Sequence, residues 1–201
     1  FPTIFWIVGT TREPAPDAIE IKATGHQWWF EFEYPGLGPN GTSLYTANEL
    51  RVPVGREIAI TLESDDVIHS FWVPQLVGKT DMIPTRTNKL QLFTPNEIGE
   101  FWGQCAEFCG TAHAQMKFLV EVLSQEEYDA WVAGYGQEPQ LSAEAQQGKA
   151  LFATCSSCHT STGVDDPAVV NARHTAFLDG EPRVPAPNLT DFATRKTFAA
   201  G

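Results

Sequence analysis

Between Ile19 and Leu123 the chain alternates hydrophobic and polar residues in short runs separated by Gly, Pro and Asn. Ile19, Ile21 and Ala23 alternate with Glu20, Lys22 and Thr24, and Trp28, Phe30, Phe32 and Tyr34 alternate with Trp29, Glu31 and Glu33. A period of two puts alternate side chains on opposite faces, so both runs predict strands. The same reading predicts strands over 51–63, 67–73, 89–94, 99–104 and 116–123, with a turn-rich loop over 35–41. Regular short strands with little helix predict an antiparallel β-sandwich or barrel.

The period changes after Leu123. Ser124-Gln125-Glu126-Glu127 is a capping-box sequence, and Tyr128, Trp131 and Val132 form one apolar stripe, so a short helix closes the β domain. Residues 134–140 read as a linker. Residues 142–154 predict an amphipathic helix running into Cys155, and the rest, to Gly201, is loop-rich. The chain is thus expected to divide into 1–16, 17–135 and 136–201. Its opening Phe1–Gly9 is apolar but far short of the roughly 20 residues a spanning helix needs. It is expected to be the last turns of a transmembrane helix, with Trp6 at interface depth and a connector to residue 16.

Charge narrows the partners. The net charge is −12, and residues 1–139 hold 8 Lys and Arg against 19 Asp and Glu, so the acidity belongs to the β domain. Nucleic acid is not an expected partner, because binding it needs cations to replace phosphate counterions. A basic protein or domain suits such a surface better.

Four cysteines could suggest two disulfides, but their spacing reads as chemistry. Cys105 and Cys109, His113 and Met116 place two thiols, an imidazole and a thioether within twelve residues, and His69 lies on an earlier predicted strand. These are soft ligands of the kind that select copper. A mononuclear blue site uses one Cys, so a second is left over here. Two thiolates can bridge a pair of copper ions, each keeping one histidine, with Met116 weakly bound to one and a backbone carbonyl to the other. The alternatives are a tetrahedral zinc site and a structural disulfide, neither of which explains Met116. A lone histidine is more often structural, and that is the expectation for His26.

At these residues the chain resembles subunit II of cytochrome c oxidases. The likeness runs through Gly25-His26-Gln27-Trp28-Trp29, Asp66-Val67-Ile68-His69-Ser70-Phe71, Lys79-Thr80-Asp81-Met82-Ile83-Pro84 and Gly103-Gln104-Cys105-Ala106-Glu107-Phe108-Cys109-Gly110, to His113 and Met116. It implies a cupredoxin-like domain with a dinuclear copper centre held by His69, Cys105, the Glu107 carbonyl, Cys109, His113 and Met116. It also implies that the Glu107 side chain faces a Mg or Mn ion at the contact with the catalytic subunit. Trp28 becomes the electron entry point from a docked cytochrome, with Glu33 and Asp66 among the acidic docking residues. Trp29 and Phe30 are expected only to pack.

Cys155-Ser156-Ser157-Cys158-His159 is the attachment pattern for haem c, two thiols bonding the porphyrin and His159 taking one axial position on iron. A thioredoxin-like redox pair is the alternative, but it does not need His159. The combination resembles oxidases whose subunit II carries a fused α-helical cytochrome c domain, and Pro185-Ala186-Pro187-Asn188-Leu189-Thr190 continues that likeness. The only methionines, Met82 and Met116, are in the β domain. The cytochrome domain is therefore expected to be incomplete, with its axial methionine beyond Gly201; otherwise His174 is the second ligand.

The resemblance implies an electron-entry subunit of a membrane-bound respiratory oxidase. It would pass electrons from cytochrome c or another small carrier, through haem c and the copper pair, to catalytic subunit I. Its place would be the outer, periplasmic face of a bacterial inner membrane, alongside the other oxidase subunits. The rivals are a nitrous-oxide-reductase-like copper domain, a free-standing copper or haem carrier, and a quinol oxidase subunit, which should lack the copper cysteines.

Overall fold

The computed structural model describes residues 2–3, 13–89, 92–137, 140–156, 158–161 and 186–198. Among these, ten strands form two five-stranded sheets. The strands are β1 (Ile19–His26), β2 (Trp29–Tyr34), β3 (Leu44–Ala47), β4 (Glu49–Pro53) and β5 (Ile58–Ser64). They continue with β6 (His69–Val73), β7 (Val77–Met82), β8 (Asn88–Lys89), β9 (Gly99–Cys105) and β10 (Lys117–Leu123). The first sheet has the order β3-β2-β1-β5-β8 and the second β4-β10-β9-β6-β7.

Two expectations need correction. The run 51–63 is not one strand: Gly55, at φ +75°, turns the chain between β4 and β5, which belong to different sheets. That crossing also makes the sandwich mixed and not purely antiparallel. Having changed sheets, β5 lies parallel to β1, and β10 returns parallel to β4.

Phenylalanines bind the sheets together. Phe30 and Phe32, two residues apart on β2, share one face, and they meet Phe71 of β6 and Phe118 of β10 across the core. The Phe118 ring centroid lies 4.7 Å from that of Phe30, 4.9 Å from that of Phe71 and 5.5 Å from that of Phe32. Burial of each such ring contributes roughly 1.5–3 kcal/mol. Gly103, the cross-strand partner of Phe118, leaves the room that this ring fills, since a Cβ there would stand 2.1 Å from it. Gly103→Ala is therefore expected to cost about 1–3 kcal/mol through overpacking, read as a lower thermal midpoint. An unchanged midpoint would mean that Phe118 has somewhere else to go.

The expected first helix is α1 (Gln125–Gly134), with the Ser124–Glu127 capping box formed in both directions. It lays Trp131 against Tyr34, at 5.3 Å between centroids, and under the Arg51 guanidinium. Tyr135 follows, buried, its hydroxyl donating to the Tyr45 carbonyl and accepting from the Tyr45 amide. The second helix, α2 (Ala143–Phe152), starts at the Ser142 cap and runs into Cys155. No described helix is long and apolar enough to cross a membrane. Apart from Pro2 and Thr3, the expected membrane segment Phe1–Gly9 lies outside the described residues, as does His174.

Candidate metal centre

The strand order of the second sheet assembles the site. β6, β9 and β10 are neighbours, so His69 at the start of β6, Cys105 at the end of β9 and Met116 just before β10 come to one rim. The amide of Ala106 donates to the Ser70 carbonyl at 3.0 Å, and that of Cys105 to the Met116 carbonyl at 3.0 Å. These bonds close the loop 106–116 over the rim.

Both cysteines are free and buried, with their sulfurs 3.8 Å apart, well beyond the roughly 2.05 Å of a disulfide. Around Cys105 Sγ stand His69 Nδ1 at 3.8 Å and the Glu107 carbonyl oxygen at 3.1 Å. Around Cys109 Sγ stand His113 Nδ1 at 3.5 Å and Met116 Sδ at 3.7 Å. Each sulfur thus has a nearest imidazole and a weak donor of its own, with His113 also reaching Cys105. The donor atoms of His69, Cys105 and Cys109 lie within 4.8 Å of one another, a group that His113 does not join. A single zinc ion with bonds of about 2.0–2.3 Å would draw all four donors to about 3.3–3.8 Å from one another. The spread suits two ions better than one.

Protons in the metal-free site follow from burial and neighbours. Burial works against the Cys105 thiolate, but hydrogen bonds from His69 and from the backbone at Glu107 and Ser70 bring its pKa down to about 6. For Cys109, burial and then repulsion from Cys105 push the thiol up to about 12. Burial opposes the charged form of His69, yet Asp66 and Cys105 raise it to about 9. Metal entry would therefore displace protons from Cys109 and His69.

The supporting shell is built by residues of the same motif segments whose part in holding the ligands was not legible in the sequence. Asp66 Oδ1 accepts from His69 Nε2 at 2.8 Å, leaving Nδ1 toward the sulfurs, an arrangement that orients a ligating imidazole. Asp66 Oδ2 accepts from the Gln27 amide at 2.6 Å. On the other side, the Cys109 carbonyl accepts from Gln27 Nε2 at 2.8 Å and from Trp28 Nε1 at 3.1 Å. Gly110, at φ +121°, lets both donors approach, since a Cβ would stand 3.0 Å from Gln27 Nε2. Gly25 likewise leaves space for the His69 ring, 2.7 Å from where its Cβ would be.

Trp28 is half-buried and joined to the metal loop by that indole bond, whereas Trp29 and Phe30 are buried. His26 stacks on Trp29 at 4.2 Å and pairs with Asp65 at 3.2 Å, away from the ligand set. Glu107 is exposed, with only its carbonyl at the site. One of the two acids assigned to docking is corrected. Glu33 is buried, bound to Lys22 at 2.9 Å and to the Ser43 hydroxyl at 2.6 Å, so it cannot present a charge to a partner. Asp66 is exposed, and its carboxylate in addition holds His69 and the Gln27 amide.

The second thiol pair sits in a different setting. Cys155 and Cys158 are exposed on the turn after α2, where the amides of Cys158 and His159 both donate to the Cys155 carbonyl. His159 Nδ1 lies 2.8 Å from the Pro187 carbonyl, which leaves Nε2 free for iron. The pair directly follows α2, whereas a thioredoxin-like pair comes after a strand and a loop. Leu151, near the end of α2, is 71% exposed.

Comparison with known proteins gives the family. Residues 37–123 match the family described as cytochrome C oxidase subunit II, periplasmic domain. The crystal structure of the periplasmic domain of subunit II of cytochrome oxidase from Bradyrhizobium japonicum is 33% identical, with a TM-score of 0.54. That likeness covers 60% of this chain and 95% of that one. The chain belongs to the cytochrome c oxidase subunit II family. Within the family, cytochrome c oxidase subunit 2 of Alkalihalophilus pseudofirmus is 40% identical over 76% of this chain and 45% of its own length. The Bacillus subtilis subunit 2 is 34% identical over 92% of this chain and 50% of its own length. The second match, at 92% of this chain, extends through most of residues 136–201. The chain spans about half the length of these curated relatives.

Proposed function

We propose that this chain is the electron-entry subunit of a respiratory cytochrome c oxidase. It takes electrons from cytochrome c or another small carrier and passes them, through haem c and a dinuclear copper centre, to catalytic subunit I. The observation that carries the copper assignment is the pairing of each cysteine sulfur with a nearest imidazole and a weak donor of its own. The residues that would hold the two ions are His69, Cys105, Glu107 through its carbonyl, Cys109, His113 and Met116. Such a pair supplies one-electron transfer with little change in geometry. Exposed Glu107 remains the candidate for a Mg or Mn ion at the contact with subunit I. Cys155, Cys158 and His159 would hold haem c, supported by the His159–Pro187 bond and by the Bacillus subtilis match, which extends through most of residues 136–201.

The chain's own residues do three things in this reading. Asp66 orients His69, Gln27 and Trp28 together fix the Cys109 carbonyl, and the buried rim keeps water from the sulfurs. The placement is a bacterial inner membrane, with these domains on the periplasmic face, where the relatives' matching domain is described.

Metal and haem analysis of protein matured with copper and haem tests the proposal. Two copper ions and one covalent haem per chain are expected; one zinc and no copper would overturn the copper assignment. A second expectation follows from the net charge of −12. Oxidase turnover with a basic cytochrome should fall as salt rises, because exposed attraction is screened over about 8 Å at physiological ionic strength. Turnover indifferent to salt would point to a donor that is not basic.

A further inference from the structure

On the outer face of the second sheet, three acids stand on adjacent strands: Glu49 of β4, Glu121 of β10 and Glu100 of β9. Glu49 and Glu121 are only 2% and 5% exposed. Arg51 reaches both, at 3.3 Å and 2.6 Å, but one cation compensates only part of the charge of three acids. A buried carboxylate costs several kcal/mol unless it is paired and hydrogen-bonded. The remaining partners come from the far end of the chain.

Glu49 Oε1 accepts from the Lys196 amide at 2.5 Å, from the Thr197 amide at 2.8 Å and from the Thr197 hydroxyl at 3.3 Å. Lys196 Nζ bridges Glu121 at 2.5 Å and Glu100 at 2.7 Å. One residue earlier, the Arg195 guanidinium turns back to the carbonyls of Asn188 and Thr190. Pro187, beside Asn188, holds His159, and the Leu189 amide donates to the Thr160 carbonyl at 2.7 Å. An unbroken line of contacts thus runs from the imidazole of the second thiol motif to the acids of the β domain.

We infer that the outer face of β4, β10 and β9 is a docking surface for the Cys155–His159 segment of the same chain, held by a charge latch at Lys196 and Thr197. Charge complementarity and burial favour this occupant: Lys196 Nζ meets Glu100 and Glu121, Glu49 takes the amides of Lys196 and Thr197, and two of these three acids are buried. The consequence is that the two thiol sites form one unit with a fixed spacing and are not two domains on a free tether. This rests on the contacts alone and does not require that the segment carry haem.

Hydrogen exchange on the full chain with its metals tests it. In the wild type the amides of Lys196 and Thr197 should be protected at low salt. Lys196→Glu and Glu121→Gln should each speed their exchange roughly tenfold, the factor for one charge-assisted bond. Lys196 is half exposed and away from the metal ligands, so an unchanged optical spectrum at the first site would show that the β domain is intact. Should Glu121→Gln unfold the sheet, Lys196→Glu decides alone. Amides that exchange as fast in the wild type as in Lys196→Glu would overturn the latch. Protected amides in a chain that takes up neither copper nor haem would keep the latch and sink the proposed function instead.

Discussion

Cys109→Ser, matured with copper, is expected to hold one copper ion per chain instead of two and to lose the spin shared between two nuclei. Cys109 Sγ is the atom that connects the halves of the site, standing 3.8 Å from Cys105, 3.5 Å from His113 and 3.7 Å from Met116. A serine hydroxyl is a hard donor that stays protonated, so it cannot replace a bridging thiolate. What remains is Cys105, His69, His113 and Met116, the donor set of a mononuclear blue site. Copper-to-protein ratio and electron spin resonance read the change directly. The buried hydroxyl should cost about 1–3 kcal/mol of stability, which leaves the sandwich folded. Two copper ions with an unaltered spin signal in this variant would show that Cys109 is not a bridge.

The parts of this structure that were legible in the sequence are those set by near neighbours along the chain. Alternation over Ile19–Tyr34 and the apolar residues of Gly99–Cys105 and Lys117–Leu123 placed strands close to where they lie, and Ser124 with Glu127 placed the start of α1. The copper-type loop was readable because its soft donors fall within twelve residues. β7 was not readable as a strand, because an edge strand with mostly exposed positions lacks a clean hydrophobic face. The split of β4 from β5 hung on Gly55 alone. The parallel pairs, the burial of Glu33 by Lys22 and Ser43, and the hold of Gln27 on Cys109 all join residues distant in sequence. Local pattern carries no trace of such contacts. That is why Glu33 read as a docking charge when it is a buried ion pair, and why the hold of Asp66 on His69 went unread.

Trp28 is where the electron-entry proposal meets the geometry, and two substitutions there separate its possible contributions. Trp28→Ala is expected to slow reduction of the copper site by an external donor roughly tenfold, as loss of about 1.4 kcal/mol of barrier lowering would. The copper spectrum should stay in place, because Gln27 Nε2 still holds the Cys109 carbonyl at 2.8 Å after the indole is gone. Trp28→Phe keeps an aromatic ring in the half-buried position and removes only the N–H donor, whose bond to Cys109 is 3.1 Å. If the ring surface admits the electron, Phe should recover most of the rate. If the N–H bond to the Cys109 carbonyl is the conducting link, Phe should be as slow as Ala. Donor reduction rates that are unchanged in both variants would place entry elsewhere. The Cys155–His159 segment, proposed to carry haem c, would then be the remaining route, since the chain after it meets the β domain at Glu49 and Glu121 through Lys196.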